Sequence, residues 1–115
     1  MLLIYQTEGT LNDAEMQACY GESAGVAQSL HATGNFHAAS PLLSVSTAVS
    51  VRIRDGKTTT TDGPFAETRE QLGGYFVVEA DSMEEAITFA ERIPGAKFGT
   101  VEVRPMLEVP GVPQA

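Results

Sequence analysis

Hydrophobic and polar positions change period several times along this chain, and the changes mark out its elements. Residues 2–6 form a short run with apolar residues on both faces, the pattern of a central strand. A polar connector follows, and Asn12 with Glu15 three residues on has the spacing of a helical capping box. Met16, Tyr20, Ala24, Ala27 and Leu30 then recur at helical spacing, predicting one helix whose apolar stripe faces a sheet. Gly21 and Gly25 weaken its continuity, and Thr33-Gly34-Asn35 closes it. Residues 36–43 read as a weak strand interrupted by Pro41. From Ser46 the period drops to two: Val45, Val49, Val51 and Ile53 against Ser46, Ser50, Arg52 and Arg54. Asp55-Gly56, the preferred pair for a two-residue hairpin, turns the chain into a return strand over 57–61. Gly73-Gly74 breaks the chain before a strand at 75–80. A second helix starts from Asp81 as N-cap, carries Met83, Ala86, Ile87, Ala90 and Ile93 on one side, and stops at Pro94-Gly95. Residues 99–106 give the last strand, and 108–115 a flexible C-terminal tail after a single domain at 1–107.

The 115 residues are 43% hydrophobic and 19% charged, which fits one soluble globular domain and excludes a disordered or collagenous chain. Seven Lys and Arg against 15 Asp and Glu give a formal net charge of −8. No cation precedes Arg52, and no basic stripe exists to neutralise phosphates, so direct nucleic-acid partners and anionic membrane surfaces are disfavoured. Cys19 is the single cysteine, which rules out an intrachain disulfide and a cysteine-based zinc site, and fits a reducing cytoplasm. No segment has the length of a signal-peptide core or a membrane span, so a cytoplasmic location is expected.

Candidate chemistry concentrates at Asp62-Gly63-Pro64-Phe65-Ala66-Glu67-Thr68-Arg69-Glu70-Gln71, between the hairpin and the next strand. With Pro64 opening a short helix over 66–72, Glu67, Glu70 and Gln71 share a face close to Asp62. Such a cluster lines a polar pocket in which a desolvated carboxylate serves as general acid or base. Asp-Gly-Pro is equally ordinary turn chemistry, and glutamate-rich helical faces are usually hydrated. His31 and His37 offer a partner for Asp62; the plainer reading makes His31 a helix-end residue and His37 a strand residue near the surface. Two isolated histidines lack the spacing of a zinc site, so no metal is expected. Leu72-Gly73-Gly74 precedes a strand instead of following one, the wrong order for a phosphate loop, so no nucleotide or other cofactor is expected. Arg52, Arg54 and Arg104 either meet an anionic ligand or pair with Glu79 and Glu102 across strands. Cys19 reads as packing, without a base placed beside it.

The run DGPFAETREQLGGYFVVEA at 62–80, with VRIRDGK at 51–57, ERIPGAKFGTVEVRP at 91–105 and the opening LLIY, resembles the YCII-related family in its DGPF branch. The resemblance implies a ferredoxin-like α+β subunit, βαββαβ with an inserted β-hairpin, pairing through its sheets into a dimeric α/β barrel. It also implies a homodimer with a polar cleft at the interface. Asp62 matches the branch's motif aspartate, while neither histidine matches the histidine proposed as catalytic in another branch. Members of the DGPF branch are linked to extracytoplasmic-function sigma factors by association.

Two functional classes follow. One is a small cofactor-free lyase or isomerase, or a binder of a small polar or aromatic metabolite, with Asp62 as acid/base and Glu67, Gln71, Tyr75 and His37 as substrate-positioning groups. The alternative is a non-catalytic regulatory module with a protein partner connected to sigma-factor transcription. A third reading has 62–71 only locking the dimer.

Overall fold

A computed structural model describes residues 1–113. The chain runs β1 (Leu2–Gln6), α1 (Asp13–Ala32), β2 (Phe36–Pro41), a single 3₁₀ turn (Val45–Thr47), β3 (Val49–Arg54), β4 (Lys57–Asp62), β5 (Gln71–Val78), α2 (Met83–Glu91), α3 (Gly95–Phe98) and β6 (Thr100–Val103). Four strands make one antiparallel sheet in the order β2-β5-β1-β6, and β3 and β4 form a separate two-stranded ladder. With the ladder set aside, this is the ferredoxin-like order, an α+β fold in which each helix crosses between parallel strands separated by one neighbour.

Helix α1 forms as its cap dictates. The Glu15 N–H donates to Asn12 Oδ1 at 2.8 Å and the Asn12 N–H to Glu15 Oε1 at 2.9 Å. Twenty residues of helix then run through Gly21 and Gly25 without a break. The cap of α2 differs from expectation by one residue. Ser82 accepts from the Glu85 N–H, and the Asp81 N–H is held by the Glu85 carboxylate instead.

The core is small: Leu2, Val26, Leu30, Phe76, Ala90 and Ile93. Because it draws on α1, α2, β1 and β5 together, both helices cover the same face of the sheet. Leu2 pairs with Phe76 and Val103 on that face, so the pleat sends Leu3, Tyr75 and Glu102 to the other one. Among the described residues no helix covers that second face.

Three further expectations change. Residues 66–72 are not helical; Gln71 and Leu72 belong to β5 and pair with Gln6 and Tyr5. Their backbone groups join the sheet ladder, which outweighs the weak pull of a short isolated helix. Gly73 and Gly74 lie inside β5 instead of breaking the chain before it. A Cβ on Gly74 would stand 3.0 Å from the Ser40 carbonyl oxygen and 3.3 Å from Pro41 Cα, so glycine here is what lets β2 lie close. The period-two run also begins later than Ser46, because Val45–Thr47 makes a 3₁₀ turn capped by the Ser44 side chain. The Asp55-Gly56 turn is as expected, with φ of 51° and 75°, the pair of positive values that a tight hairpin of this twist requires. Beyond β6 the described part of 108–115 contains a turn at 110–111 and no helix or strand, and residues 114–115 lie outside the described residues.

Candidate functional site

A cavity of about 420 Å³ lies between α1 and the sheet. Its origin is readable in the side chains. The predicted apolar stripe of α1 does face the sheet, but of its members only Leu30 at the C-terminal end is buried in the core, joined there by Val26, which the stripe did not include. Farther toward the N-terminus, α1 presents Met16, Cys19, Tyr20, Ala24 and Ala27 opposite Gly73, Gly74 and Gly95. Small residues facing glycines leave a void that large ones would have closed. Ile4, Phe36, Phe76 and Ile93 complete the apolar wall, with Gln6, Ser23 and Gln28 as polar groups. None of the lining residues is charged, although 22 side chains of this protein are Asp, Glu, Lys or Arg.

A second cleft of about 380 Å³ adjoins the first and shares Gln6, Met16, Tyr20 and Gly73 with it. It is polar, lined by Thr7, Glu8, Asp13, Ser44 and Gln71 among others. Glu8 is held in place there: its Oε2 accepts from the Val45 N–H at 3.1 Å, and its own N–H donates to Gln71 Oε1 at 3.2 Å. Together the two spaces form an apolar chamber with a polar, acidic antechamber. Cys19 stands half-buried at the chamber wall, and its thiol pKa is pushed up by burial first, then by Glu22 and Glu15. That proton-retaining environment is the opposite of what activates a nucleophilic thiol.

The residues singled out from the sequence do not converge on one point. Tyr75 lines the chamber, but its side chain belongs to the opposite sheet face, so it contributes through its backbone. Gln71 lines the antechamber, yet its amide is already engaged, Nε2 donating to the Thr68 carbonyl at 2.8 Å while Oε1 accepts from Glu8. Asp62, Glu67 and His37 line neither space. Asp62 is exposed at the end of β4, where Gly63 takes a φ of 96° and donates to the Ala48 carbonyl at 2.7 Å. His37 lies 3.7 Å from the Glu79 carboxylate, and the His31 ring meets Phe36 edge-on at 6.4 Å. Arg104, just past the end of β6, pairs with Glu102 at 3.2 Å, whereas Arg52 and Arg54 have no carboxylate partner among the described residues. No group of three His, Cys, Asp or Glu side chains comes together as a metal site, and no helix is long and apolar enough to cross a membrane, among the described residues.

Residues 68–71 do have a visible structural task. Thr7 donates to the Arg69 carbonyl at 2.9 Å, Thr100 to Glu70 Oε1 at 2.9 Å, and Thr68 to the Glu70 carbonyl at 2.6 Å. The segment thereby ties the ends of β1 and β6 to the start of β5.

Sequence reasoning placed the stripe of α1 correctly and missed that its upper half lines a chamber. The available signal was the pairing of small residues, Ala24 and Ala27 on the helix with Gly74 and Gly95 across from them.

The chain is similar over 67 residues, at 40% identity, to a protein of Rhizobium meliloti (strain 1021) named only as uncharacterised. That match takes in 56% of this chain and 54% of the relative, so the chain spans about half the length of the curated protein it matches. The YCII-related domain matches residues 1–110, nearly the whole chain, and the protein therefore belongs to the YCII-related family.

Proposed function

We propose that this protein is a small-molecule binder that works as a homodimer, taking an uncharged aromatic or aliphatic body into the α1–sheet chamber with a polar end in the antechamber. The observation that carries this reading is the chamber itself: about 420 Å³, within the usual range for ligand sites, and lined without a single charge. An anion would leave its charge unpaired in such a lining, at a large desolvation cost. A neutral body fits, and Glu8 and Asp13 in the antechamber favour a hydrogen-bond-donating or cationic head over an anionic one.

Dimerisation is supported by the uncovered sheet face. Leu3, Tyr5, Tyr75 and Val77 are half-buried there and Leu72 is exposed, an apolar set on which the described residues place no second layer. The DGPF-branch assignment rests on the 62–80 run. No observation of comparable weight favours a lyase or isomerase step at Asp62, or a sigma-factor partner.

The test is a thermal-shift screen of neutral aromatic and aliphatic compounds, with amine-bearing and carboxylate-bearing analogues of each. It is run on the wild type and on Ala27→Phe, which puts a ring into the chamber. Expected are hits among neutral and amine-bearing compounds that Ala27→Phe abolishes. Hits confined to carboxylates, or hits that Ala27→Phe leaves intact, would place binding elsewhere and refute the reading.

A further inference from the structure

Chamber and antechamber meet at a neck formed by Gln6, Met16, Tyr20 and Gly73, the residues that line both spaces. Two of these carry hydrogen-bonding side chains, Gln6 from β1 and Tyr20 from α1. The polar groups around them are largely spent within the protein. Thr7 donates to the Arg69 carbonyl, Glu8 Oε2 accepts from the Val45 N–H, Ser44 caps the 3₁₀ turn, and both amide atoms of Gln71 are engaged. On the chamber wall, the Ser40 hydroxyl donates to the Pro41 carbonyl. Gln6 and Tyr20 differ: neither side chain makes a hydrogen bond among the described residues, and their polar atoms stay accessible.

The backbone fixes where the Gln6 amide stands. β1 and β5 pair Ile4 with Gly74 and Tyr5 with Leu72, so Gly73 is an extra residue, a bulge in the ladder. Gln6 shares the helix-covered face with Leu2 and Ile4. A Cβ on Gly73 would stand 3.8 Å from Gln6 Cγ and 3.9 Å from its Nε2, so the side chain lies back over the bulge. On the β6 side, a Cβ on Gly99 would stand 3.0 Å from both Cα and Cβ of Gln6. Two glycines thus hold the half-buried stem of Gln6 from either side, and its amide faces the neck.

We propose that Gln6 is the specificity-determining residue of this site, reading an uncharged carboxamide or lactam at the junction of the ligand's body and head. This inference rests on the chamber reading and deepens it. A side-chain carboxamide offers one acceptor oxygen and two N–H donors. A second amide complements it, giving one donor and one acceptor at the same place. An ammonium uses only the oxygen, and a carboxylate turns its charge toward an uncharged wall. A hydrocarbon leaves the Gln6 amide unpaired as water is displaced from the neck, the loss by which polar sites reject apolar analogues. The Tyr20 hydroxyl, both donor and acceptor, is the second polar contact available there.

The experiment titrates benzamide, acetophenone and ethylbenzene, probes of similar size, into full-length wild type, Gln6→Met and Ala27→Phe by NMR. Methionine keeps the length of glutamine and removes both hydrogen-bonding groups. Gln6→Met should weaken benzamide by about tenfold, the worth of one or two neutral hydrogen bonds, and ethylbenzene by less than about twofold, with acetophenone between them. Equal effects of Gln6→Met on benzamide and ethylbenzene would overturn the role of Gln6 while sparing the chamber. Binding that survives Ala27→Phe, or a wild type that takes none of the probes, would overturn the chamber reading and this inference with it. Should Gln6→Met fail to fold, the Gln6 side-chain N–H protons of the wild type supply the answer. A downfield shift with benzamide and none with ethylbenzene supports the assignment, and the same response to both refutes it.

Discussion

Gly95→Ala isolates the contact on which the chamber's floor depends. Gly95 is buried where α3 begins, and a Cβ there would stand 2.5 Å from Ile4 Cγ2, with Ile4 Cβ at 3.9 Å and Ile93 Cγ2 at 4.0 Å. Carbon atoms rest at about 3.5–4.0 Å, so Ile4 must retreat by roughly 1 Å. It cannot do so by a simple rotamer change, because Cγ2 is attached at the branch point and a β-branched side chain is stiff at χ1. Overpacking of this kind costs about 1–3 kcal/mol. Alanine returns roughly 0.8–1 kcal/mol through its better helix propensity, which leaves a net loss of about 0–2 kcal/mol with a central value near 1. For a domain of this length that lowers Tm by some 3–6 °C. The diagnostic measurement is a double-mutant cycle by urea denaturation. In an Ile4→Ala background the obstructing methyl is gone, so Gly95→Ala should become neutral or stabilising, a coupling of at least about 1 kcal/mol. Equal effects of Gly95→Ala in both backgrounds would show that α3 does not press on β1 at this point. Because Ile4 and Gly95 both line the chamber, the single variant should also weaken whatever ligand the chamber takes.

Other substitutions should respond as their surroundings dictate. Gly25→Ala, with nothing within 4 Å of the new methyl, should stabilise by about 0.8–1 kcal/mol in the same denaturation assay; a loss would mean that α1 is packed against something at that position. Asn12→Ala removes the oxygen that accepts from Glu15 and should cost about 1 kcal/mol with an unchanged denaturant slope; no loss would show that the capping box is idle. Cys19, its thiol pKa raised by burial, Glu22 and Glu15, should react with a disulfide reagent at pH 7.5 more slowly than free cysteine, and Glu22→Gln should speed it; labelling as fast as free cysteine would contradict the placement. Since the folded state holds that proton more tightly than the unfolded one, the associated stability is full below the unfolded thiol's pKa and declines as pH rises through the folded value. Asp62→Asn, exposed at the end of β4, should leave Tm and chamber binding unchanged by thermal shift; loss of binding would return the site to the 62–71 segment.

The sequence was most legible where a local rule and the tertiary structure ask for the same thing. Asn12 and Glu15 satisfy one another whatever lies beyond them, and Asp55-Gly56 supplies two positive φ values that few residue pairs tolerate. Both elements formed as their residues imply, and so did the order of the main elements along the chain once the hairpin is set aside. Legibility failed where distant partners decide. The segment 66–72 has helical spacing of its polar groups, but β1 offers Gln71 and Leu72 a ladder that no periodicity within 66–72 reveals. Gly73-Gly74 looks like a break until β2 is seen 3.0 Å from where a Cβ would sit.

The same distinction explains why the candidate site moved. Asp62, Glu67 and Gln71 attract notice because polar side chains near a Gly-Pro turn advertise chemistry, yet Gln71 spends its amide on Glu8 and Thr68, and Thr68 and Glu70 join it in bracing three strand ends. The chamber advertises nothing in one dimension, because it is built from residues chosen for what they leave empty. Ala24 and Ala27 are unremarkable helix formers, and Gly95 looks like a helix stop. Only when α1 is laid on β1 and β5 do these small side chains face one another across an uncharged space of about 420 Å³. A void of that size forfeits dispersion contacts on every wall, beside a core that has six buried apolar side chains among the described residues. A body small enough to restore those contacts would therefore stabilise the fold as it binds, which ties ligand occupancy to the melting temperature more closely here than in a domain with a large core of its own.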